Sequence, residues 1–173
     1  DELVRVWSSK ADRGLRFFSV STADFEDWRA QATSFQRMAA FDRQQDLTLT
    51  GGADPEQIQG ARVSANAFTL LGVKPALGRL FSAEEDRPGT PERPLVISHA
   101  TWRNRFGADS GALGRVMMLN GEPWTVIGVM PAAMDYAVFD EELWVPTAFS
   151  AERLAMHDEH YIRVLGRLRP GVT

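Results

Sequence analysis

The sequence predicts an α+β fold, in which short strands and helices follow one another irregularly along 173 residues. Three observations support this class. Several short runs alternate apolar and polar residues with the period of a strand, capping residues introduce amphipathic helical segments, and glycine- or proline-rich turns separate the two kinds of element. The regular strand–helix–strand spacing of a parallel doubly wound sheet is missing, so a mixed arrangement is favoured.

The N-terminal part of the chain predicts strands followed by a helix. Residues 3–7 alternate in a strand-like way, and residues 16–20 form a second short apolar run after a polar turn. Ser21 and Thr22 are suitable N-caps, and the large apolar residues beyond them recur at helical spacing. We therefore expect an amphipathic helix over residues 23–33.

The next segment predicts a hairpin and a tight corner. Residues 38–41 and 46–50 have strand character, and residues 57–64 are expected to return antiparallel after a double-glycine turn. Residues 66–71 read as one or two helical turns. Gly72 ends them, because glycine adopts the left-handed conformation that commonly stops a helix.

The middle of the chain contains a helix-start signal and the strongest loop signal. Ser82 and Glu85 match a capping box, in which each side chain accepts a hydrogen bond from the other residue's backbone amide. The proline-rich stretch 88–94 is the best candidate for a boundary between two lobes. Residues 95–97 then predict a buried strand, and Ser98 caps a helix that ends at a glycine.

The clearest hairpin signal lies near residue 120. Residues 116–119 and 124–129 flank Asn120-Gly121, a pair that favours a type I′ turn because both central residues need positive φ. The remaining elements are a short apolar strand, a helix that Ser150 caps, and a final strand, at residues 143–145, 151–156 and 161–168.

Composition excludes several classes of function. The 19 basic and 23 acidic residues give a formal net charge of −4, so no global basic field attracts phosphate backbones, and nucleic acid is not an expected partner. The chain has no cysteine, which excludes disulfides, thiolate metal ligands and cysteine nucleophiles. Its longest charge-free apolar run, residues 123–134, is shorter than the about 20 residues of a membrane-spanning helix.

The densest group of potential metal ligands is residues 157–160, which read His-Asp-Glu-His. Two histidines three positions apart on a helix have a spacing that allows a shared metal. The spacing does not match zinc hydrolase signatures, however, and a third ligand is needed from elsewhere. A polar connection between a helix and a strand is the favoured interpretation.

Two acidic runs, at residues 84–86 and 140–142, raise the hypothesis of paired catalytic carboxylates of the glycosidase type. Carboxylates adjacent in sequence point in different directions, and both runs lie in turn-like segments, so solvated faces are favoured. The residues that this hypothesis would use are Glu84, Glu85, Asp140, Glu141 and His157.

Other catalytic signatures are missing from the sequence. No serine occupies a Gly-x-Ser-x-Gly elbow, and no phosphate-binding or dinucleotide-binding glycine pattern occurs. Trp28, Trp102, Trp124 and Trp144 each fall in an amphipathic element, so we predict that they fill the core rather than line a sugar or lipid groove. The sequence thus gives no catalytic, cofactor-binding or metal-binding residue and predicts no cofactor.

Six blocks in fixed order resemble the MacB-like periplasmic core domain of ABC transporter permeases of the MacB and FtsX class, most closely the stand-alone permeases of Acidobacteria. These blocks contain the turn and core residues described above rather than active-site motifs. They are residues 24–29, 60–68, 71–81, 97–102, 119–131 and 164–173.

The resemblance implies a two-lobed domain outside the bacterial cytoplasmic membrane, between a first and a second transmembrane helix. A porter-like lobe would contain residues 1–79 and 157–173, and an inserted mixed α/β lobe would contain residues 80–156. Because the chain opens without a leader and stops after Pro-Gly-Val, both ends are expected to be cuts in a longer protein. The resemblance further implies that the porter-like lobe continues into another helix and strand, so this lobe is expected to be incomplete.

The implied function is to transmit ATP-driven motion to substrate export or to an envelope partner. The implied partners are a cytoplasmic ABC ATPase acting through the transmembrane helices, a second permease copy or half, and a periplasmic adaptor. By this resemblance the domain itself is not an enzyme. Two alternatives stay open: an extracytoplasmic hydrolase, and a regulatory domain that binds a cell-wall hydrolase.

Overall fold

The computed structural model describes residues 3–10, 13–136 and 140–172, without the side chains of residues 15, 44–46 and 136. Both chain ends, Asp1 and Thr173, therefore lie outside the described part. The helices are α1 (Thr22–Gln31), α2 (Ala67–Leu71), α3 (His99–Phe106) and α4 (Ala151–Leu154), with two 3-10 helices at Ser110–Ala112 and Ala132–Tyr136. The strands are β1 (Leu3–Val6), β2 (Ser8–Lys10), β3 (Leu15–Phe18), β4 (Val20–Ser21), β5 (Phe35–Thr50), β6 (Glu56–Val63), β7 (Leu77–Gly78), β8 (Pro94–Ile97), β9 (Val116–Leu119), β10 (Glu122–Val129), β11 (Leu143–Pro146) and β12 (His160–Leu168).

One mixed sheet organises the described residues. Its strand order is β1-β12-β5-β6-β11-β8-β10-β7, with β4 beside β12 and β9 beside both β10 and β5, while β2 and β3 form a separate hairpin. Most pairs are antiparallel, but β11 runs parallel to β6 and β8 runs parallel to β10. The structure therefore confirms the α+β class. The division into lobes at residues 80 and 156 stays a prediction.

Local capping determines where the helices begin. Ser21 Oγ accepts a hydrogen bond from the Asp24 amide at 3.1 Å, and Ser98 Oγ accepts one from the Thr101 amide at 3.0 Å. Ser150 caps α4 in the same way. These serines satisfy amides that have no partner within the helix. All three predicted caps are confirmed.

Two sequence signals for chain reversal are also confirmed. Gly72 ends α2 in the left-handed conformation with φ of +75°. Asn120 and Gly121 have φ of +51° and +78°, as a type I′ turn requires, and they join β9 to β10. Asn120 also exchanges hydrogen bonds with the backbone of Thr48, which holds this hairpin against β5.

Some predicted boundaries were wrong, and the helix expected over residues 23–33 is α1, Thr22–Gln31. The strands expected at residues 38–41 and 46–50 are one continuous strand, β5, because the polar residues between them form an irregularity in the pairing with β6 rather than a break. The helix expected to reach residue 156 ends at Leu154. Beyond it the chain turns towards α1, where His157 binds Asp24.

The core comprises three groups of buried apolar side chains. Trp144 is 1% exposed and packs edge-to-face on Phe68, with ring centroids 5.4 Å apart, in the first group. Trp102 and Trp124 pack against the second group, around β8, β10 and β11, and Trp28 packs against the third, between α1 and β12. These four tryptophans pack in or against the core, as predicted.

The helices in the described ranges are short. The longest, α1, has ten residues, and none is both long and apolar enough to cross a membrane.

Candidate functional site

A cleft of about 430 Å³ opens between α1 and two loops. Phe25, Glu26 and Arg29 of α1 form one wall, and the opposite side consists of the turn around Asp86 and the segment after β11, including Thr147. Its floor is the segment after β6, residues 64–66. The cleft therefore lies where residues of the first expected lobe meet residues of the second.

Asp86 joins three segments at this cleft. Its Oδ2 accepts a hydrogen bond from the Ala65 amide at 2.9 Å. Its Oδ1 accepts one from Thr147 Oγ1 at 2.7 Å and another from the Ala148 amide at 2.8 Å. Ala148 has φ of +37°, which is uncommon for a residue other than glycine, so the carboxylate also stabilises a strained turn. One side chain thus connects its turn to the ends of β6 and β11.

A capping box holds Asp86 in place. The Ser82 amide donates to Glu85 Oε2 at 2.8 Å, and the Glu85 amide donates to Ser82 Oγ at 3.3 Å. Arg79 donates to both carboxylate oxygens of Glu85, at 2.9 and 2.7 Å, and this hydrogen bonding holds the pKa of Glu85 below its usual value. The predicted box is confirmed, and a series of turns follows it.

The floor of the cleft is fixed on β5. Ser64 Oγ accepts a hydrogen bond from the Ala40 amide at 2.9 Å, and Asn66 Nδ2 donates to the Met38 carbonyl at 2.9 Å. Both bonds involve backbone atoms of β5, so residues 64–66 are held against the sheet. Through its hydrogen bond to Ala65, Asp86 therefore connects its own turn to the sheet.

Glu26 is the titratable group of the α1 wall whose pKa rises. Burial raises its pKa and the nearby Asp86 carboxylate raises it further, whereas Arg29, which pairs with Glu26 at 3.1 Å, opposes the rise. A carboxylic acid with a raised pKa can act in proton transfer. The Asp86 carboxylate, which accepts hydrogen bonds from the Thr147 hydroxyl and from two backbone amides, holds the segments around the cleft together.

The two histidines of residues 157–160 have different partners. His157 Nδ1 lies 2.9 Å from Asp24 Oδ1 on α1, and this hydrogen bond raises the pKa of His157. His160 begins β12 and packs edge-to-face on Phe18, with ring centroids 4.8 Å apart. Within the described ranges no three histidine or acidic side chains form a group that could hold a metal ion.

The acidic candidates of the hydrolase hypothesis lie in two places. Glu84 is exposed, and Glu85 pairs with Arg79 in the turn that precedes Asp86. Asp140 and Glu141 lie elsewhere and both bind Arg43. The structure therefore does not bring the two acidic runs together in one site, although each run is tied to a basic partner.

Sequence reasoning missed the role of Asp86. It falls in a run of three acidic residues, which is typical of a solvated turn, and its partners Ala65 and Thr147 lie 21 and 61 positions away. The available signal was the adjacent capping box of Ser82 and Glu85, which orders the turn that carries it.

Solved structures define the class to which this fold belongs. The extracellular domain of the noncanonic ABC-type transporter YknZ from Gram-positive bacteria matches with a TM-score of 0.69 and 16% identity, over 98% of this chain and 85% of that one. The periplasmic region of MacB from Actinobacillus actinomycetemcomitans matches with the same TM-score and identity, over 99% and 75%. The fold is thus that of the extracytoplasmic domains of ABC transporter permeases.

Curated protein sequences give a second comparison, by sequence identity. The macrolide export ATP-binding/permease protein MacB of Burkholderia pseudomallei (strain 1710b) is 32% identical over 113 residues, which is 63% of this chain and 16% of that protein. The protein of the same name from Chromobacterium violaceum is 30% identical over 111 residues, again 63% and 16%. The aligned part thus spans about a sixth of these relatives' length.

The family model for the MacB-like periplasmic core domain matches residues 1–173, and the chain belongs to this family. It is the periplasmic domain of a MacB-like ABC transporter permease. The resemblance to the MacB-like periplasmic core domain and the extracytoplasmic location are both confirmed. The closer likeness to the stand-alone permeases of Acidobacteria stays a prediction.

Proposed function

We propose that this domain transmits ATP-driven movement of membrane helices to the export of a substrate or to a partner in the cell envelope. The ATP would be bound and hydrolysed by a cytoplasmic ATPase. The name of the relatives, ATP-binding/permease protein, supports the link to ATP binding. On this proposal the domain is not itself an enzyme. The cytoplasmic ATPase, a second permease copy or half, and a periplasmic adaptor are the proposed partners.

The observation that carries this proposal is the pairing of β1 with β12. The two strands run antiparallel, with Leu3 opposite Arg167 and Val6 opposite Val164. A membrane helix that precedes β1 and the segment that follows β12 would therefore act side by side at one end of this strand pair. β12 also pairs with β5, so their movement would pass directly into the centre of the domain.

We further propose that residues 80–156 form a lobe that twists against residues 1–79 and 157–173, with the Asp86 cleft between them. Because β6 pairs with β11 and β5 with β9, this motion would be a twist of the shared sheet rather than a hinge through short connecting segments. The Asp86 carboxylate would hold the closed arrangement, because its three hydrogen bonds join the turn to the ends of β6 and β11.

The test is to lock the cleft in the full-length permease with its ATPase. The chain has no cysteine, so Ala65→Cys with Ala148→Cys introduces the only thiols of this domain, at residues whose amides bind the same Asp86 carboxylate. Oxidation or a short bifunctional thiol reagent should abolish transport, and reduction should restore it after disulfide formation. Each single-cysteine variant is the matched control.

Two results would contradict the proposal. Full transport by the cross-linked double variant would show that the cleft does not move during the cycle. Specific micromolar binding of ATP by the purified domain would place nucleotide chemistry in the chain itself rather than in a cytoplasmic partner.

A further inference from the structure

The turn between β9 and β10 consists of Asn120 and Gly121, and both residues are exposed. An asparagine loses its side-chain amide most readily when glycine follows it, because glycine has no side chain to hinder attack by its backbone nitrogen. The other asparagines of the chain, Asn66 and Asn104, precede alanine and arginine. This turn is therefore the place in the sequence where spontaneous deamidation is expected.

The reaction needs only these two residues and water. The backbone nitrogen of Gly121 loses its proton and forms a bond to Cγ of Asn120, while the bond from Cγ to Nδ2 breaks and ammonia leaves with that proton. Water then opens the resulting succinimide ring at one of its carbonyl groups. The product is aspartate or isoaspartate, and in isoaspartate the main chain is longer by a methylene group.

Hydrogen bonds to β5 hold both reacting groups. Asn120 Oδ1 accepts a hydrogen bond from the Thr48 amide at 2.9 Å, and the Asn120 amide donates to the Thr48 carbonyl at 2.8 Å. The Gly121 amide donates to Thr50 Oγ1 at 3.2 Å. The attacking nitrogen and the side-chain carboxamide are thus both bound to the neighbouring strand.

The conformation of the turn also opposes ring closure. Asn120 and Gly121 have φ of +51° and +78°, in the left-handed region that a type I′ turn requires. Ring closure needs the asparagine side chain to lie alongside the following backbone nitrogen, whereas in the left-handed conformation the two point in different directions. The turn must therefore open before the ring can form.

We propose that Asn120 is a deamidation site that is protected by the pairing with β5 and that reacts when the β9–β10 hairpin separates from this strand. The rate then follows the fraction of molecules in which the hairpin is open, as expected when opening and closing are fast compared with the reaction. Isoaspartate lengthens a turn whose type depends on two residues, so the modified hairpin no longer fits against β5.

The test compares the folded 173-residue chain with the same chain unfolded in urea, both kept in mildly alkaline buffer. Trypsin releases residues 116–153 as a single peptide, in which Asn120 is the only asparagine or glutamine. The mass increase of this peptide therefore measures deamidation at Asn120 alone. We expect the folded chain to react at least about tenfold more slowly, because the hydrogen bonds to β5 must break first.

Two threonine variants test the role of β5. Thr50→Val removes the hydroxyl that binds the Gly121 amide and should raise the rate in the folded chain several-fold. Thr48→Val is the matched control, because it makes the same change on the same strand, but the Thr48 hydroxyl binds Gln57 instead of the turn. It should leave the rate unaltered. Amide hydrogen exchange at Asn120 should accelerate together with deamidation in Thr50→Val.

Three outcomes would overturn the proposal. The first is the same rate in the folded and the unfolded chain, which would show that pairing with β5 gives no protection. The second is no detectable deamidation of Asn120 in the unfolded chain, and the third is the same rate for Thr50→Val and Thr48→Val. This inference does not rest on the transport proposal, because the reaction is measured on the isolated chain.

Discussion

The contribution of Asp86 to stability can be worked out from its three hydrogen bonds. Asp86→Ala removes the acceptor for the amides of Ala65 and Ala148 and for the hydroxyl of Thr147. Hydrogen bonds to a charged group contribute about 1.5–3 kcal/mol each, but water reaches the cleft and replaces part of this. We therefore expect Asp86→Ala to lower the free energy of unfolding by about 2–4 kcal/mol.

Asp86→Asn should lower the free energy of unfolding by less than Asp86→Ala does. The amide keeps one acceptor oxygen, which can serve Thr147 and Ala148 together, but its NH₂ group then faces the Ala65 amide, which is also a donor. We expect a loss of about 1–2 kcal/mol, close to that of one charge-assisted hydrogen bond. The order of stability is thus wild type, Asn variant, Ala variant.

Urea unfolding followed by tryptophan fluorescence and circular dichroism measures these differences. Glu84→Ala is the matched control, because Glu84 is exposed in the same turn and its backbone carbonyl, not its side chain, accepts the Thr90 hydrogen bond. Amide hydrogen exchange should accelerate at Ala65 and Ala148 in the Asp86 variants. A loss below about 0.5 kcal/mol for Asp86→Ala, equal to that expected of an ordinary surface substitution, would refute the reasoning.

Three further predictions concern the core, the sheet and a surface histidine. Trp144→Ala should lower the free energy of unfolding by about 3–5 kcal/mol. Trp144→Phe should lower it by less than about 2 kcal/mol, because the buried indole N–H has no hydrogen-bond acceptor among the described residues and so no hydrogen bond is lost. Gly128→Ala should cost about 1–3 kcal/mol, since a Cβ there would overlap the Arg79 carbonyl oxygen. The hydrogen bond to Asp24 raises the pKa of His157, so NMR titration should give a value above about 6.5 that returns towards it in Asp24→Asn.

The sign of the His157 effect on stability follows from linkage. The folded chain holds the proton more tightly than the unfolded chain, so the added stability is complete below the unfolded pKa and disappears as the pH rises through the folded pKa. The stability of the wild type relative to His157→Gln should therefore fall as the pH rises from acidic to alkaline. A constant difference in melting temperature across that range would contradict this account.

The other two predictions have equally simple controls. Gly52→Ala is matched to Gly128→Ala, because the nearest atom to a Cβ at Gly52 lies 3.8 Å away, at ordinary contact distance. A similar loss of stability for both glycine variants would show that the backbone around Gly128 shifts at little energetic cost and removes the overlap. Equal losses of stability for Trp144→Phe and Trp144→Ala would show that the indole N–H makes a hydrogen bond to a group outside the described residues.

Local signals in the sequence predicted local structure well. The caps at Ser21, Ser98 and Ser150 and the turn at Asn120-Gly121 each depend on residues within four positions, so their chemistry is visible in a short window. The same holds for the capping box, in which both hydrogen bonds join residues three positions apart.

Long-range arrangements were not accessible in the same way. The continuity of β5 depends on β12 pairing with its first half and β6 with its second, so a polar stretch that reads as a break in sequence is carried through by its neighbours. A pocket beside α3 likewise gathers Glu56, Asp135 and Glu141, and nothing local to any one of them predicts the other two. The function of a carboxylate depends on which distant backbone or side chain it faces.

The length of β5 has a mechanical consequence. Its 16 residues span about 50 Å at the rise of a β-strand, from the pairing of Phe35 with Leu168 at one end to that of Thr50 with Met118 at the other. Tilting β5 as one element by about 5° around its first residues would displace its far tip by about 4 Å, given that span. Because β5 pairs with β12, β6 and β9, such a tilt would carry these three strands with it.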